Sequence, residues 1–358
     1  MVSDELSRRI EEAANTVGYV PNHPTRKSDG VIVVLIPNLE FGYFSESIKE
    51  IIRQMPKYKC RVIFLPTFPG DDSYKSILKE LYVMGVIYLE EEIDREVIRY
   101  IRAKNIKVVM LGGAAFDSRC DMVHINDMMA AYEGMKYLLE MGHRKILILT
   151  DLSTSISSGF QRLVGCKKAM EEYGLMFSDD MAEYGQLTFE KGYRSMNSAL
   201  RKKKKFTAVF AFSDETAVGA ITALNEHGLK VPEDVSVLGF DGLSISERVV
   251  PKLTTIYQPL DKMVEWTLEI LCNKSRNREE NIEYTLPYKL LERGTVTQKG
   301  GNIKWGRRSF KDILWRIFRF VFLGFMALIS VGPLVWIVMS SFKSNKEILS
   351  SAFALLHH

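Results

Sequence analysis

The chain has 358 residues, of which 46% are hydrophobic and 26% charged, with 48 Lys and Arg against 44 Asp and Glu. Frequent aliphatic and aromatic residues exclude disorder over most of the chain, because they supply enough apolar surface for two cores. Eight basic and 2 acidic residues follow Gly300, against 40 and 42 up to it, so the basic excess belongs to the tail and a uniformly basic nucleic-acid binder is excluded.

The first segment is predicted to be one amphipathic helix followed by a connector. Ser3 is a candidate N-cap, and apolar residues follow at helical spacing as far as Val17. Pro21 and Pro24 interrupt regular structure, so we expect residues 18–30 to link this helix to the main body. The segment lacks the apolar run of a secretory signal, and export is not expected.

From Val31 onward, short apolar runs alternate with amphipathic stretches, a pattern typical of βαβ units with buried parallel strands. A first set of strands is predicted at Val31–Pro37, Arg61–Pro66, Gly85–Leu89, Lys107–Leu111 and Met122–Ile125. The helices of this set are predicted at Ser45–Lys57, Ser73–Met84, Asp94–Lys104 and Met128–Met141. We expect these elements to form one lobe.

The pattern then repeats and predicts a second lobe of similar size. Its strands are predicted at Lys145–Thr150, Met181–Gly185, Thr207–Phe212, Val235–Phe240 and Leu253–Tyr257. Its helices are predicted at Ser158–Tyr173, Phe189–Arg201, Glu215–His227 and Pro259–Asn273. The fold class is therefore α/β, with two doubly wound, Rossmann-like lobes.

The sequence carries no sign of catalysis or of a cofactor. Neither a Gly-x-Gly-x-x-Gly loop after the first strand nor a GxxxxGK[ST] loop occurs, and no nucleophile elbow or HExxH motif is present. His124 and His143 stand alone beside predicted strands. The four cysteines are widely spaced, which favours inert core thiols in a reducing compartment over a zinc site. We predict a protein that is not an enzyme and uses neither a cofactor nor a metal.

A ligand is expected beyond the carboxyl ends of the strands, where open α/β sheets place their binding crevice. The residues that follow the apolar runs are polar, as hydroxyl groups of a sugar or the edge of a purine require. They are Asn38, Asn126, Asp127, Asp151, Ser213, Asp214, Asp241 and Gln258. For Asp127 and Asp214 alone, the alternative interpretation as ordinary N-caps is the favoured one, since a helix is predicted directly after each.

Three further features have a ligand-binding and a purely structural interpretation. Asp241 has no helix to cap and Arg162 has no local partner, which favours binding for both. Phe41, Tyr43 and Phe44 are expected to pack within a loop around Gly42, with a ligand platform as the alternative. The basic run from Arg201 to Lys205 is interpreted as a solvated helix end rather than a nucleic-acid patch.

Six motifs resemble the LacI/GalR family of transcriptional repressors, in order and at family-like spacing. They are Val17-Gly-Tyr-Val-Pro-Asn22, Glu140-Met-Gly-His-Arg-Lys145, Arg162-Leu-Val-Gly165, Phe212-Ser-Asp214, Val231-Pro-Glu-Asp-Val-Ser236 and Leu253-Thr-Thr-Ile-Tyr-Gln-Pro259. The resemblance implies a periplasmic-binding-protein-like sensor of type I, without catalytic activity. It also implies a homodimer that binds a small effector, usually a sugar or nucleoside, between its lobes.

The resemblance also implies which residues contact the effector. The family's effector-binding Arg falls on Arg162 and its cleft Asp on Asp241, while its Asn-Asp pair falls on Ser213 and Asp214, with Ser in place of Asn. An aromatic residue falls on Phe44 and a Gln on Gln258. Together with Asp127, these residues are the predicted effector site.

The amino-terminal region departs from the family. Family members begin with a helix-turn-helix and a hinge helix, whereas this chain starts at what resembles the following helix, so the recognition helix is missing. The hinge is reduced to the stretch around Arg26 and Lys27, which are the remaining candidates for contact with DNA. Residues 1–30 contain four basic and five acidic residues, which is unfavourable for phosphate neutralisation. We expect binding to operator DNA only when an upstream segment restores the headpiece.

The tail has the pattern of a transmembrane helix. Residues 320–339 carry no charge over 20 positions, enough to cross a hydrocarbon core of roughly 30 Å. Five basic residues between Arg307 and Arg319 precede them, which by the positive-inside rule places the sensor on the cytoplasmic side of the plasma membrane. A buried core helix is the alternative interpretation. Residues 330–348 are similar to the first span of a carbohydrate ABC-transporter permease, which favours two sugar-operon genes joined in one reading frame.

These observations predict four regions: a headpiece and hinge remnant at 1–30, a sensor at 31–300, a basic linker at 301–316 and a membrane-spanning, permease-like segment at 317–358. The first functional hypothesis is an effector-sensing regulator of the LacI/GalR type. The second is a membrane-tethered sugar-binding module that does not bind DNA. A third, an α/β enzyme, has no nucleophile or cofactor loop to support it.

Overall fold

A computed structural model describes residues 30–36, 42–58, 60–67, 73–89, 95–113, 120–152, 155–272 and 282–299, with Glu5, Arg8 and Thr16 as single helical positions. The chain divides into two units between Gly300 and Gly301, and all described residues belong to the first. The predicted membrane span at 320–339, the permease-like region and the candidate DNA contacts Arg26 and Lys27 lie outside the described residues. Within the described part of the chain, no helix is both long and apolar enough to span a bilayer.

The first lobe is built on a six-stranded sheet whose described strand pairs are all parallel. The strands lie in the order β11-β5-β4-β3-β1-β2, with β1 at Val31–Ile36, β2 at Arg61–Pro66, β3 at Val83–Tyr88, β4 at Lys107–Leu111, β5 at Asp121–Ile125 and β11 at Glu283–Leu286. Ile32, Val33 and Val34 of β1 are each 0% exposed, because helices cover both faces of a parallel sheet.

The second lobe repeats this arrangement on another six-stranded sheet, in which only β12 runs antiparallel to its neighbour among the described pairs. The order is β12-β10-β9-β8-β6-β7, with β6 at Ile146–Thr150, β7 at Ala182–Tyr184, β8 at Ala208–Ala211, β9 at Ser236–Asp241, β10 at Thr254–Tyr257 and β12 at Lys289–Leu291. The predicted α/β architecture of two lobes with parallel sheets is confirmed.

Nine α-helices are described. They are α1 (Gly42–Gln54), α2 (Ser73–Glu80), α3 (Arg95–Ala103), α4 (Asp127–Glu140), α5 (Arg162–Glu172), α6 (Phe189–Arg201), α7 (Asp214–Glu226), α8 (Ile245–Arg248) and α9 (Leu260–Cys272). Short 3₁₀ turns lie at Met55–Lys57 and Asp179–Met181, and a π-helical turn at Ile156–Gln161 precedes α5.

The chain crosses between the lobes three times: after β5, after β10, and between β11 and β12. Helix α4 therefore packs against α5 in the second lobe, and α9 packs against α1, β3 and β4 in the first. The prediction that α4 belongs to the first set and α9 to the second was wrong. The position of a helix in the sequence shows which strand it follows. It does not show which sheet the helix packs against, because the chain can cross to the other lobe between strand and helix.

Several predicted boundaries also needed correction. Helix α2 ends at Glu80 rather than Met84, because Val83 and Met84 belong to strand β3. Strands β11 and β12 and the four-residue helix α8 were not predicted, since such short segments carry almost no periodic signal. Gly42 begins helix α1, so Tyr43 and Phe44 lie on a helix and not in a loop, and Phe41 lies outside the described residues.

Candidate functional site

Four of the predicted site residues meet at the carboxyl edge of the second sheet. Asp241 ends β9, Gln258 follows β10, and Asp127 and Arg162 begin α4 and α5. Their exposed fractions are 6% for Asp241, 3% for Gln258, 1% for Asp127 and 4% for Arg162. Asp127 and Gln258 flank two of the three crossovers, so this cluster lies where the lobes join.

Arg162 is positioned by an unusual piece of backbone. The π-helical turn at Ile156–Gln161 runs directly into α5, and π-turns inside helices are frequent at functional sites. The turn packs so tightly that a Cβ on Gly159 would lie 2.2 Å from the Leu152 carbonyl oxygen. Glycine is therefore required where the turn folds back against the end of β6.

The buried guanidinium of Arg162 is surrounded by acceptors. Its Nε donates to Asp127 Oδ1 at 2.8 Å, and Nη1 donates to the Phe212 carbonyl oxygen and lies 3.7 Å from Asp241 Oδ1. The guanidinium carbon lies 3.6 Å from the centre of the Phe240 ring. Arg162 has no partner nearby in the sequence because its partners are distant along the chain. Their oxygen atoms compensate the buried positive charge.

Asp241 combines burial with a strained backbone. Its φ of 103° lies in the region that favours glycine, and such outliers cluster at functional sites. Gln258 Nε2 donates to its Oδ1 at 2.7 Å. Burial raises the pKa of Asp241 to about 7, although Arg162 and the Gln258 hydrogen bond act in the opposite direction.

Asp127 has one paired and one unpaired carboxylate oxygen. Oδ1 accepts from Arg162, whereas the buried Oδ2 has no hydrogen-bond partner among the described residues. The alternative prediction that Asp127 caps α4 was wrong. Asn126 is the N-cap, and its Oδ1 accepts from the Met129 backbone N–H at 3.0 Å. Asp127 lies one position later, where its side chain reaches Arg162 instead.

Ser213 and Asp214 make internal contacts. Ser213 is the N-cap of α7, accepts from Thr216 N–H at 3.1 Å and donates to the Leu187 carbonyl oxygen at 3.1 Å. The alternative prediction that Asp214 is the cap was therefore wrong by one residue. Direct contact of this pair with an effector stays a prediction.

The fully buried Asp214 carboxylate instead joins two segments beside the site. It accepts from Leu243 N–H and from Thr255 Oγ1, each at 2.6 Å. Burial raises its pKa well above the usual value, and the nearby Asp241 adds to this effect. Asp214 thereby ties the loop that follows β9, which begins beside Asp241, to strand β10.

A cavity of about 330 Å³ opens beside Asp241 and Gln258, between helix α1 of the first lobe and the strand ends of the second. Its lining residues are Tyr43, Glu46, Lys49, Glu50, Arg53, Asp241, Gly242, Leu243, Ser244, Tyr257, Gln258, Leu260 and Asp261. The half-buried Phe44 packs against the hydrophobic core, with its ring centre 6.1 Å from that of Tyr43. Tyr43 and Tyr257, rather than Phe44, contribute the aromatic rings that line the cavity.

The charged residues of α1 are the part of the candidate site that sequence reasoning missed. Glu46 Oε1 accepts from Ser244 Oγ at 2.6 Å, a hydrogen bond that joins the first lobe to the loop after β9. Tyr43, Glu46, Glu50 and Arg53 follow one another at intervals of three and four residues and therefore share one helix face. That spacing was the available signal for a polar face turned towards the other lobe.

The predicted isolation of the two strand-associated histidines was also wrong. His124 Nε2 lies 2.8 Å from Glu283 Oε1, and His143 contacts Thr207 Oγ1 and the Thr297 carbonyl oxygen, each at 3.0 Å. Among the described residues, no group of three His, Cys, Asp or Glu side chains could hold a metal ion. Cys120 and Cys166 are buried free thiols, whereas Cys60 and Cys272 are half-buried and their sulfur atoms lie 3.8 Å apart.

Comparison with known proteins places this chain in a family. Residues 135–296 match the periplasmic binding protein-like domain. The HTH-type transcriptional repressor PurR of Serratia proteamaculans is 30% identical over 309 residues, covering 82% of this chain and 89% of that protein. The HTH-type transcriptional regulator RegA of Clostridium saccharobutylicum is 26% identical over 301 residues, which cover 82% of this chain and 91% of RegA.

Solved structures show the same fold. A LacI family transcriptional regulator from Enterococcus faecium with bound ribose superposes with a TM-score of 0.68 at 24% identity, covering 75% of this chain and 99% of that one. The transcriptional regulator CelR–cellobiose complex superposes with a TM-score of 0.68 at 23% identity, covering 82% and 92%. These relatives are transcription regulators rather than enzymes. The chain belongs to the LacI family of transcriptional regulators.

Proposed function

We propose that this regulator senses a small polyhydroxy ligand, a sugar, at the Asp127, Arg162, Asp241 and Gln258 cluster. The observation that carries the proposal is the buried, unpaired Oδ2 of Asp127 beside an ion-paired Arg162. A buried carboxylate oxygen without a partner is costly, and a ligand hydroxyl would satisfy it. The relatives with bound ribose and with cellobiose support a sugar as the ligand class.

The position of the cluster explains how binding would control transcription. A ligand that contacts both the strand ends of the second lobe and helix α1 of the first would favour a closed arrangement of the lobes. In a homodimer, that closure would change the spacing of two DNA-binding headpieces and so the affinity for operator DNA. Phe44, Ser213 and Asp214 would act behind the contact surface by packing and by holding the loop after β9.

Calorimetry against a panel of sugars and nucleosides tests the ligand site. We expect Arg162→Ala and Asp241→Ala each to weaken effector binding at least tenfold, which corresponds to about 1.4 kcal/mol. Gln258→Ala provides a milder variant in case removal of Arg162 unfolds the protein, and Arg201→Ala, at the exposed end of α6, is the matched control. Unchanged affinity in the site variants would contradict the assignment.

Operator binding is tested by comparing the chain with and without the segment encoded upstream of it. We expect sequence-specific binding, reversed or enhanced by the effector, from the longer form. Arg26 and Lys27 are then expected to contribute contacts to the DNA backbone. If neither form binds a specific DNA sequence, the second hypothesis, a membrane-tethered sugar-binding module, is favoured.

We also propose that residues 320–339 anchor the sensor to the plasma membrane from its cytoplasmic side. The proposal is supported by the 20 uncharged residues and the basic residues that precede them. Full-length protein is expected in the membrane fraction, and a Leu328→Arg, Ile329→Arg double variant in the supernatant, because a charge at the centre of a span costs several kcal/mol. Release of the unaltered chain from the membrane fraction by salt washing alone would contradict this proposal.

A further inference from the structure

Carboxyl groups outnumber cations around the proposed effector site. Asp127, Asp214 and Asp241 are all buried, whereas Arg162 is the single buried Lys or Arg side chain among the described residues. Its positive charge is already compensated, because Arg162 contacts both Asp127 and Asp241. The interior of the site therefore has no uncompensated buried cation to offer a negatively charged ligand.

The starts of α1 and α7, next to the cavity and named the entrance, have the same character. Glu215, in the first turn of α7, reaches the start of α1, where a Cβ on Gly42 would lie 2.7 Å from its Oε1. Burial raises the pKa of Glu215, and so do Glu190 and Glu46 nearby. The Glu215 carboxyl of α7 thus lies against the start of α1, and carboxyl groups of α1 and α6 raise its pKa.

The two cations on the cavity wall are already paired. Lys49 Nζ lies 3.5 Å from Glu46 Oε1, and Arg53 Nε donates to Glu50 Oε2 at 2.7 Å. Both partners are on α1 itself, so each pair adds no net charge to the wall. With Asp241 and Asp261 also lining the cavity, the net charge facing a ligand is negative.

We propose that the effector carries no anionic group, and that it is a neutral or aminated sugar whose hydroxyl or amine groups donate hydrogen bonds to Asp127 and Asp241. The proposal rests on the sugar-sensing function above and narrows its ligand class. Phosphate esters and uronates would place a negative charge beside buried carboxyl groups. Each ionised carboxyl group repels that charge with little screening, and the anion opposes ionisation of the others. A neutral hydroxyl avoids this repulsion, and an amine turns it into attraction.

The test compares matched ligands by calorimetry with the full chain at low ionic strength. The probes are glucose, glucosamine, glucose 6-phosphate and glucuronate, then ribose with ribose 5-phosphate, cellobiose, and adenosine with its 5′-phosphate. We expect the phosphorylated or oxidised member of a series to bind at least tenfold more weakly than the neutral or aminated member. An anionic member that binds as tightly as its neutral counterpart overturns this inference but leaves sugar sensing intact. If no probe binds, sugar sensing itself is contradicted, and this inference fails with it.

A pair of variants links the discrimination to the charges at the entrance. Glu215→Gln is expected to reduce the discrimination against the anionic member at least threefold, because it removes an ionisable carboxyl group without changing shape. Glu233→Gln, at an exposed position in the second lobe, is the matched control and should leave the ratio unchanged. Equal ratios in both variants would show that the carboxyl groups at the entrance do not select the ligand.

Discussion

At the scale of single residues, Asp241 carries the clearest signs of a conflict between stability and function. It is buried, its backbone adopts a φ of 103°, and its pKa is raised to about 7. The strained backbone costs about 1–3 kcal/mol of folding free energy, and ionisation of the buried carboxyl group adds a further cost as pH rises. The surrounding hydrogen bonds from Gln258 and the contact with Arg162 hold the residue in place despite that cost.

The raised pKa of Asp241 predicts a specific dependence of stability on pH. A carboxyl group with a pKa near 7 in the folded state and about 4 when unfolded stabilises the fold below about pH 4, and this contribution is lost as pH rises through 7. Asp241→Asn cannot ionise, and its Oδ1 can still accept from Gln258. Between pH 5 and 8, urea unfolding should show wild type losing stability relative to this variant, by on the order of a few kcal/mol.

The control for this prediction is the exposed carboxyl of Asp180 in the second lobe. The pH profile of Asp180→Asn should follow that of wild type. Parallel profiles for wild type and Asp241→Asn would show that Asp241 is already ionised in the folded state below neutral pH.

At the scale of elements, two pairs of helices meet through glycines. A Cβ on Gly165 of α5 would lie 2.0 Å from the Met128 carbonyl oxygen of α4, and a Cβ on Gly219 of α7 would lie 2.1 Å from the Phe189 carbonyl oxygen of α6. The nearest atoms are backbone, so they cannot move aside as a flexible side chain would. The approach of α4 to α5 also brings Asp127 to Arg162, and the ion pair depends on it.

Gly165→Ala is therefore expected to destabilise the protein. Alanine favours an isolated helix by about 1 kcal/mol over glycine, but separating two packed helices costs typically 1–3 kcal/mol or more. We expect a net loss of about 1–2 kcal/mol in denaturant unfolding, together with weaker effector binding. Lys168→Ala, at an exposed position of the same helix, should change neither. A more stable Gly165→Ala protein would mean that α4 and α5 separate at little cost.

At the scale of the whole sensor, the site lies where the chain crosses between the lobes, so closure and binding act on the same residues. The hydrogen bond between Glu46 of α1 and Ser244 after β9 is a direct link across the cavity. Ser244 makes no side-chain hydrogen bond as the N-cap of α8. Its hydroxyl is therefore available to hold the lobes together without a competing local role.

Ser244→Ala is expected to weaken effector binding about threefold to tenfold, because one hydrogen bond contributes about 0.5–1.5 kcal/mol. Unfolding should change by no more than about 0.5–1.5 kcal/mol, because the half-buried Ser244 loses the same single hydrogen bond. Ser178→Ala, another N-cap without a side-chain cap bond, is the matched control. Affinity measured by calorimetry and lobe closure measured by solution scattering should change together; loss of affinity without altered closure would point to direct contact with the ligand.

The sequence by itself determined the architecture and the sheet edge on which the proposed site lies. Continuous apolar runs predicted both sheets, and β2, β4 and α6 occupy the residues predicted for them. Polar residues at strand ends identified Asp241 and Gln258, because the carboxyl ends of parallel strands share one edge. Periodicity is a local property, so it could be recognised along the chain.

Only the tertiary structure decided which lobe α4 and α9 join, which residue caps α7, and which side chains surround Arg162. It also placed α1 beside the cavity, where a hydrogen bond joins Glu46 to Ser244, 198 positions away in the sequence. These outcomes depend on packing and on hydrogen bonds between segments distant in sequence. Local propensity depends only on neighbouring residues, so no pattern within one segment could have predicted these contacts.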